Sequence, residues 1–410
     1  MLNWCSQFNI FCFLDNHQYQ QQHHSIECIL AVGSRAQIES TTGGMALQAL
    51  SEFKKKYEDK WIFGHLSYDL KNEIEGLQSV HPDYIGFPDL FFFLPEIVLA
   101  LSASELRIWA SPGIADEVFD AIIRTKDTIT KGKWDLHIQS RFSKKEYIDT
   151  VKQLQQHILR GDCYEINFCQ EFFDDNASIE ALDLFFALSE ASPNPFSAFY
   201  RVNERYLVCA SPERFLKKTG NTIYSQPIKG TAKRSLSDPM QDEAAKAELQ
   251  QSLKERSENV MVVDLVRNDL SRFCEQGSVE VEELFAIYSF PQVHQMISTV
   301  KGKLEKGVDP INMIRSSFPM GSMTGAPKRR VMQLIDQYEK SRRGLFSGSV
   351  GYFDPAGDFD FNVVIRSILF NNNTKYLSFQ TGSAITFYSD PENEYEECQL
   401  KAAAIKKVLE

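Results

Sequence analysis

Two pairs of glutamates stand three residues apart, Glu255 with Glu258 and Glu394 with Glu397, and Lys401 follows the second pair four residues on. On a helix that spacing puts both carboxylates of a pair on one face. Such a face is ordinarily a solvated one. The first pair departs from that reading because Val260-Met261-Val262-Val263-Asp264-Leu265-Val266 follows it directly, and a helix apolar nearly all round is a buried one. Buried carboxylates need a partner, and a hard divalent cation held through one or two of them is a natural candidate.

Lys229 lies in Gln226-Pro227-Ile228-Lys229-Gly230-Thr231. An isolated lysine is usually a surface charge, but one held between a strand end and a Gly turn can be desolvated, which lowers its pKa toward a nucleophilic amine. Two small-residue segments supply an anion side. Phe318 to Lys328 contains Gly321, Ser322, Thr324 and Gly325 and opens onto a helix, with Thr324 as the expected cap and Pro327 in the first turn. Its free N–H groups would face a carboxylate or phosphate, although many helices begin this way. Gln380-Thr381-Gly382-Ser383-Ala384 reads as a second turn, open to close approach of a ligand.

The elements that must position these groups change character along the chain. Residues 1 to about 135 read as a β-rich half, with aromatic and β-branched runs such as Ile10 to Leu14, Trp61 to Leu66 and Leu90 to Phe93, and one helix near Met45 to Tyr57. Lys131-Gly132-Lys133 is the expected connection to residues 136–410. There Ser143 and Glu146 form a capping box ahead of an apolar stripe that ends at Gly161, and Cys163 to Phe172 alternates as a strand. Further helices are expected at about 241–274, 326–341 and 391–409, the last capped by Asp390 with Pro391 behind it. Strands are expected at about 205–210, 221–226, 346–354, 360–370 and 376–381.

Composition narrows the partners. The 410 residues are 43% hydrophobic and 24% charged, with 44 basic against 55 acidic side chains and a net charge of −11. That balance argues against nucleic acid and anionic membrane surfaces, whereas a pocket's local field can still favour a small anion. Eight cysteines are scattered with no C-x-x-C spacing, the pattern of reduced thiols packed in a core. The N-terminus lacks a signal peptide's basic start and apolar run, and Leu90 to Leu101 is too short to span a bilayer. A cytoplasmic protein is the expectation.

Taken together and in order, several segments resemble the chorismate-utilising enzymes. They are Ser211-Pro212-Glu213-Arg214, the Pro-Ile-Lys-Gly-Thr run, Glu258-Asn259 through Asp269, His294 in Val293-His294-Gln295, the Gly321 to Lys328 loop, Arg366, and the Glu394/Glu397/Lys401 helix. The likeness is strong over about 140–410 and looser before it, where Phe13-Leu14-Asp15 and Gly86 to Leu90 fit the family's first half. The fold it implies is α+β, with two large antiparallel sheets stacked face to face, flanking helices, and the site in the crevice between them.

The family divides by what attacks the chorismate ring. Members that make isochorismate or salicylate use a lysine base on a strand at the position assigned here to Gln170, so those activities are disfavoured. Anthranilate synthases usually carry alanine where this chain has Lys229. Lysine there, with Gly-Ser-Met-Thr-Gly-Ala-Pro-Lys, is similar to the branch that makes 4-amino-4-deoxychorismate. The resemblance implies Mg2+ on Glu258 and Glu397 with Glu255 and Glu394 behind them, Glu213 as general acid on the departing C4 hydroxyl, and Lys229 as the nucleophile at C2. It implies Arg366 on the enolpyruvyl carboxylate, and Lys401, Ser322, Gly382, Gln170 and Thr231 around the substrate, with His294 near C4. A catalytically silent ligand-binding subunit is the alternative from another class, disfavoured because Glu213, Glu258 and Glu397 are all present. No glutaminase elbow or lyase segment is recognisable, so ammonia is expected from a separate glutaminase subunit.

Overall fold

The computed structural model describes residues 1–19, 23, 26–40, 44–126, 134–290 and 293–410. Lys131-Gly132-Lys133 lies outside them. Among the described residues the chain builds two large antiparallel sheets, of eleven and ten strands. Residues 1–135 contribute to both. Ile10–Asp15 pairs with Phe196–Val202 in the first sheet, and Ile62–Leu66 pairs with Ser349–Phe353 in the second.

The pleat decides which layer each side chain enters. In Ile10–Asp15, Cys12 joins the apolar cluster between the sheets, while Phe11 and Phe13 face the helix-covered outside of the first sheet. Cys28–Val32 beside it alternates in the same way, with Ile29 and Ala31 inward and Cys28, Leu30 and Val32 outward. The outer cluster is closed by Lys144–Leu159, Ala181–Ala191, Lys328–Tyr338 and Pro391–Leu409, which bury residues such as Val151, Leu184, Leu334 and Ile405. The first sheet is thus apolar on both faces, which is why its strands read as continuous greasy runs.

Several boundaries are as expected. Ser143 and Glu146 make the full capping box, and Asp390 accepts a hydrogen bond from the Asn393 N–H at 2.9 Å with Pro391 at the first helical position. Others differ for physical reasons. The long helix expected over 241–274 is two, Pro239–Gln251 and Leu253–Leu270, broken where Ser252 turns extended and caps the second by accepting from the Glu255 N–H at 3.3 Å. The second helix is also not buried all round, since Val262, Val263, Val266 and Leu270 face the core while Val260 and Asp264 face solvent. Thr324 is not a cap: its hydroxyl donates to the Met320 carbonyl, Gly325–Ala326 pairs as a strand with Glu165 and Ile166, and the next helix starts at Lys328 without a side-chain cap. Gln380 to Ala384 is not a turn but part of the strand Tyr376–Ile385. A Cβ at Gly382 would meet the Phe168 carbonyl oxygen at 2.3 Å, so the glycine serves strand packing.

The run 360–370 is divided too. Phe359–Asn362 belongs to the second sheet and Ser367–Asn371 to the first, so the chain crosses between sheets at Val363–Arg366. It makes a matching crossing between Arg205–Ser211 and Arg214–Thr219, at Pro212 and Glu213. The two crossings are adjacent: the Glu213 carbonyl accepts from the Val363 N–H at 3.0 Å, and the Arg366 carbonyl accepts from the Ala210 N–H at 3.1 Å.

Candidate functional site

Glu213 and Arg366 meet at those paired crossings, between the ends of the two sheets. The Glu213 carboxyl is buried, and burial raises its pKa from 4.5 to about 7, although the Ser322 hydroxyl, Lys229 and Arg366 pull the other way. Ser322 donates to Glu213 Oε1 at 2.6 Å. A carboxyl poised near neutrality is what proton donation at physiological pH needs. Arg366 is half-buried and holds φ at +48°, a left-handed backbone that a non-glycine residue adopts only where its surroundings impose it. Burial lowers its pKa to about 10, against the opposing pull of Glu213, and the guanidinium stays charged at neutral pH. No carboxylate of a described residue lies within 4 Å of it. A charged fork at a sheet junction that no carboxylate of a described residue ion-pairs suits an incoming carboxylate.

Lys229, on the edge strand Ile228–Lys233, points into the same space. Its Nζ donates to Glu165 Oε1 at 2.8 Å and lies 4.0 Å from Glu258 Oε2. The expectation of a lowered pKa is corrected here. Burial does lower it, but Glu165, Glu258 and Glu213 together outweigh burial and hold the amine protonated, above its ordinary value. Glu165 was not anticipated. Its only sequence signal is a carboxylate at the start of a strand, Glu165–Asp174, in which every residue but Asn167 is buried. One of its neighbours is corrected with it: Gln170 faces away from this space, accepting from Ser140 Oγ at 2.8 Å and donating to Cys398 Sγ at 3.3 Å. The strand position facing Lys229 is 165, and it is a glutamate.

The four glutamates of the two helical pairs come together at the mouth. Burial raises Glu258 to about 7, with Glu165 and Glu255 adding to it and Lys229 and Lys254 opposing. Glu255 is also raised, by burial first, and its carboxylate packs so close to Gly230 that a Cβ there would meet Oε2 at 2.9 Å. Glu397 is held below its usual range because Lys401, Lys254 and Lys229 outweigh its burial. Lys401 bonds Glu397 Oε1 at 2.8 Å and the Gly382 carbonyl at 2.9 Å, joining the second helical pair to the sheet. Glu258 Oε1, Glu394 Oε2 and Glu165 Oε2 are buried without a hydrogen-bond partner. Unpaired hard oxygens at the edge of a carboxylate cluster fit a divalent cation. Among the described residues no three metal-binding side chains converge tightly enough to chelate one by themselves, so further oxygens would have to come from a bound carboxylate and water.

Two expected residues sit apart. His294 is buried against the helix Pro239–Gln251, its Nε2 at 3.2 Å from Asp242 Oδ1 and its Nδ1 at 2.8 Å from Ser289 Oγ, with no contact to Glu213 or Lys229. Thr231 is exposed on the edge strand. The groups that hold the Ser322 loop were missed by sequence reasoning. Arg343, fully buried, donates to the carbonyls of Met323 at 2.6 Å and Asn167 at 2.8 Å and pairs with Glu339. The Asn167 side chain donates to the Ser322 carbonyl at 2.8 Å. Lys328, expected at an anion-facing helix start, instead bonds Asp269 Oδ2 at 2.7 Å.

The family profile of chorismate binding enzymes matches residues 10–407. The aminodeoxychorismate synthase component 1 of Bacillus subtilis is 32% identical over 362 residues, covering 85% of this chain and 76% of that protein. The probable chloroplastic aminodeoxychorismate synthase of Oryza sativa is 41% identical over 271 residues, 65% of this chain. The matched part is only 30% of the rice protein's length. The crystal structure of anthranilate synthase component I from Streptococcus pneumoniae TIGR4 superposes with a TM-score of 0.81 over 95% of each chain at 22% identity, a likeness of fold. No helix among the described residues is long and apolar enough to cross a membrane.

Proposed function

The chain belongs to the chorismate-binding enzymes, and within that family we propose that it is the component I of an aminodeoxychorismate synthase, replacing the C4 hydroxyl of chorismate by an amino group. The observation that carries the reading is Lys229, largely buried within 4.0 Å of two carboxylates, at the same crevice as a carboxyl poised near pH 7 and a guanidinium that no carboxylate of a described residue ion-pairs.

In this reading Arg366 pairs with the enolpyruvyl carboxylate and Lys401 adds charge at the mouth. Mg2+, held by Glu258 and Glu397 with Glu255 and Glu394 behind, would neutralise and orient the ring carboxylate. Glu213 gives its proton to the C4 hydroxyl, which leaves as water, while the Lys229 amine forms a bond at C2. Before that, the ammonium must lose a proton, and Glu165 Oε1 at 2.8 Å is placed to take it. Ammonia then attacks C4, the C2–N bond breaks, and the lysine recovers its proton. Two allylic displacements return the nitrogen to the carbon that lost the hydroxyl. His294, on the strand Val293–Lys303 and held by Asp242 and Ser289, takes no part in these steps.

Ammonia is proposed to come from a separate glutaminase subunit, and a cytoplasmic setting suits eight cysteines that are all free and buried. The test is chorismate consumption by the purified chain. Consumption that requires ammonium, together with a covalent chorismate-derived mass on Lys229 that disappears in Lys229→Ala, supports the reading. Consumption indifferent to ammonium, or an adduct that persists in the variant, contradicts it.

A further inference from the structure

Lys254 is the second residue of the helix Leu253–Leu270, where a positive charge opposes the helix dipole. Its side chain runs to the carboxylate cluster instead of away from the helix end. The Nζ lies 4.0 Å from Glu258 Oε1, 3.6 Å from Glu394 Oε1 and 3.9 Å from Glu397 Oε2. None of these is a hydrogen-bond distance, so the ammonium is shared among three carboxylates on two helices and is bound to none of them. Glu258 Oε1 and Glu394 Oε2 are left with no hydrogen-bond donor, on side chains that are buried. The lysine itself is 54% exposed and has an open path to solvent.

We propose that Lys254 is a tethered stand-in for the divalent cation, occupying the centre of its charge cluster in the ligand-free protein and leaving it when the cation binds. This rests on the proposed cation site at Glu258 and Glu397. An ion entering the cluster must displace one positive charge to gain its own, so Lys254 sets the affinity. It keeps the site weakly metal-binding until a substrate carboxylate arrives to add a further negative charge. The same charge keeps Glu258, Glu394 and Glu397 from repelling one another across two helices while no ion is present.

The test compares wild type with Lys254→Met and Lys254→Arg, using Mn2+ as the probe. Binding is read from the loss of the free-ion resonance, with thermal unfolding measured with and without Mg2+. In Lys254→Met, Mn2+ binding should tighten by about tenfold, the gain from removing one competing charge at these distances. Its unfolding temperature should fall without metal and recover with it, and Lys254→Arg should behave like wild type. If Lys254→Met folds only in the presence of Mg2+ and unfolds on chelation, that is the same result in stronger form. Mn2+ affinity in Lys254→Met that is equal to or weaker than wild type overturns the proposal and leaves the cation site standing. No Mn2+ binding in either protein removes the cation site and the proposal together.

Discussion

Replacing Glu213 by glutamine separates burial of the carboxyl from its chemistry. Burial raises its pKa from 4.5 to about 7, a difference of about two and a half units, and each unit is worth about 1.4 kcal/mol. Ionising Glu213 in the folded protein therefore costs about 3 kcal/mol of stability. Below pH 4.5 the group is protonated whether the chain is folded or not, and no penalty applies. Between 4.5 and about 7 the unfolded chain releases a proton that the folded one keeps, so stability falls as pH rises. Above that the whole penalty is present. Glutamine cannot ionise, yet its amide oxygen can still accept from Ser322 Oγ, which lies 2.6 Å from Oε1 in the wild type. Urea unfolding of both proteins at acid and alkaline pH should show Glu213→Gln gaining about 3 kcal/mol on wild type between the two conditions, with other titrations cancelling in the difference. The variant should also lose proton donation and hence turnover. A stability difference that is flat with pH, or that moves against the variant as pH rises, would refute a burial-raised carboxyl.

Lys229→Ala leaves Glu165 buried without its ion-pair partner, and should destabilise the chain by about 3–5 kcal/mol. Adding Glu165→Gln to that variant should recover much of the loss in a denaturant titration. Ser322→Ala removes the hydrogen bond that lowers the Glu213 pKa, so the alkaline limb of the kcat profile should move to higher pH. Asn167→Ala, which frees the Ser322 carbonyl, should move it the same way without adding to Ser322→Ala in the double variant. Arg366→Met removes the guanidinium proposed to hold the enolpyruvyl carboxylate and should raise the KM for chorismate at least tenfold, with a smaller effect on unfolding.

What the sequence reveals of this architecture follows the range of the interactions involved. The Ser143 box and the Asp390 cap are made within four residues, and both are legible. The spacing of Glu255 with Glu258 and of Glu394 with Glu397 places each pair on one helical face without further help. The stacked sheets were legible only through the family resemblance, because runs such as Cys163 to Phe172 show that a strand exists and not which strands it pairs with. The crossing near Arg366 escaped because 360–370 reads as one continuous run, and the crossing at Glu213 escaped because the strand Arg214–Thr219 beyond it was not expected at all. Glu165 and Arg343 escaped for a different reason: their partners, Lys229 and the Met323 carbonyl, are 64 and 20 residues away. Gln170 was assigned to the site through the family resemblance, five residues along the strand from Glu165. An odd offset with a period of two puts the side chain on the opposite face. The charge of Lys229 was misjudged because desolvation was weighed without the carboxylates the fold brings to it.

Incubating the pure chain with chorismate, Mg2+ and ammonium at alkaline pH and resolving the products by chromatography tests the account at its centre. It predicts 4-amino-4-deoxychorismate, made without release of pyruvate and lost in Lys229→Ala. Anthranilate and pyruvate as the main products, or isochorismate formed without ammonium, would contradict it.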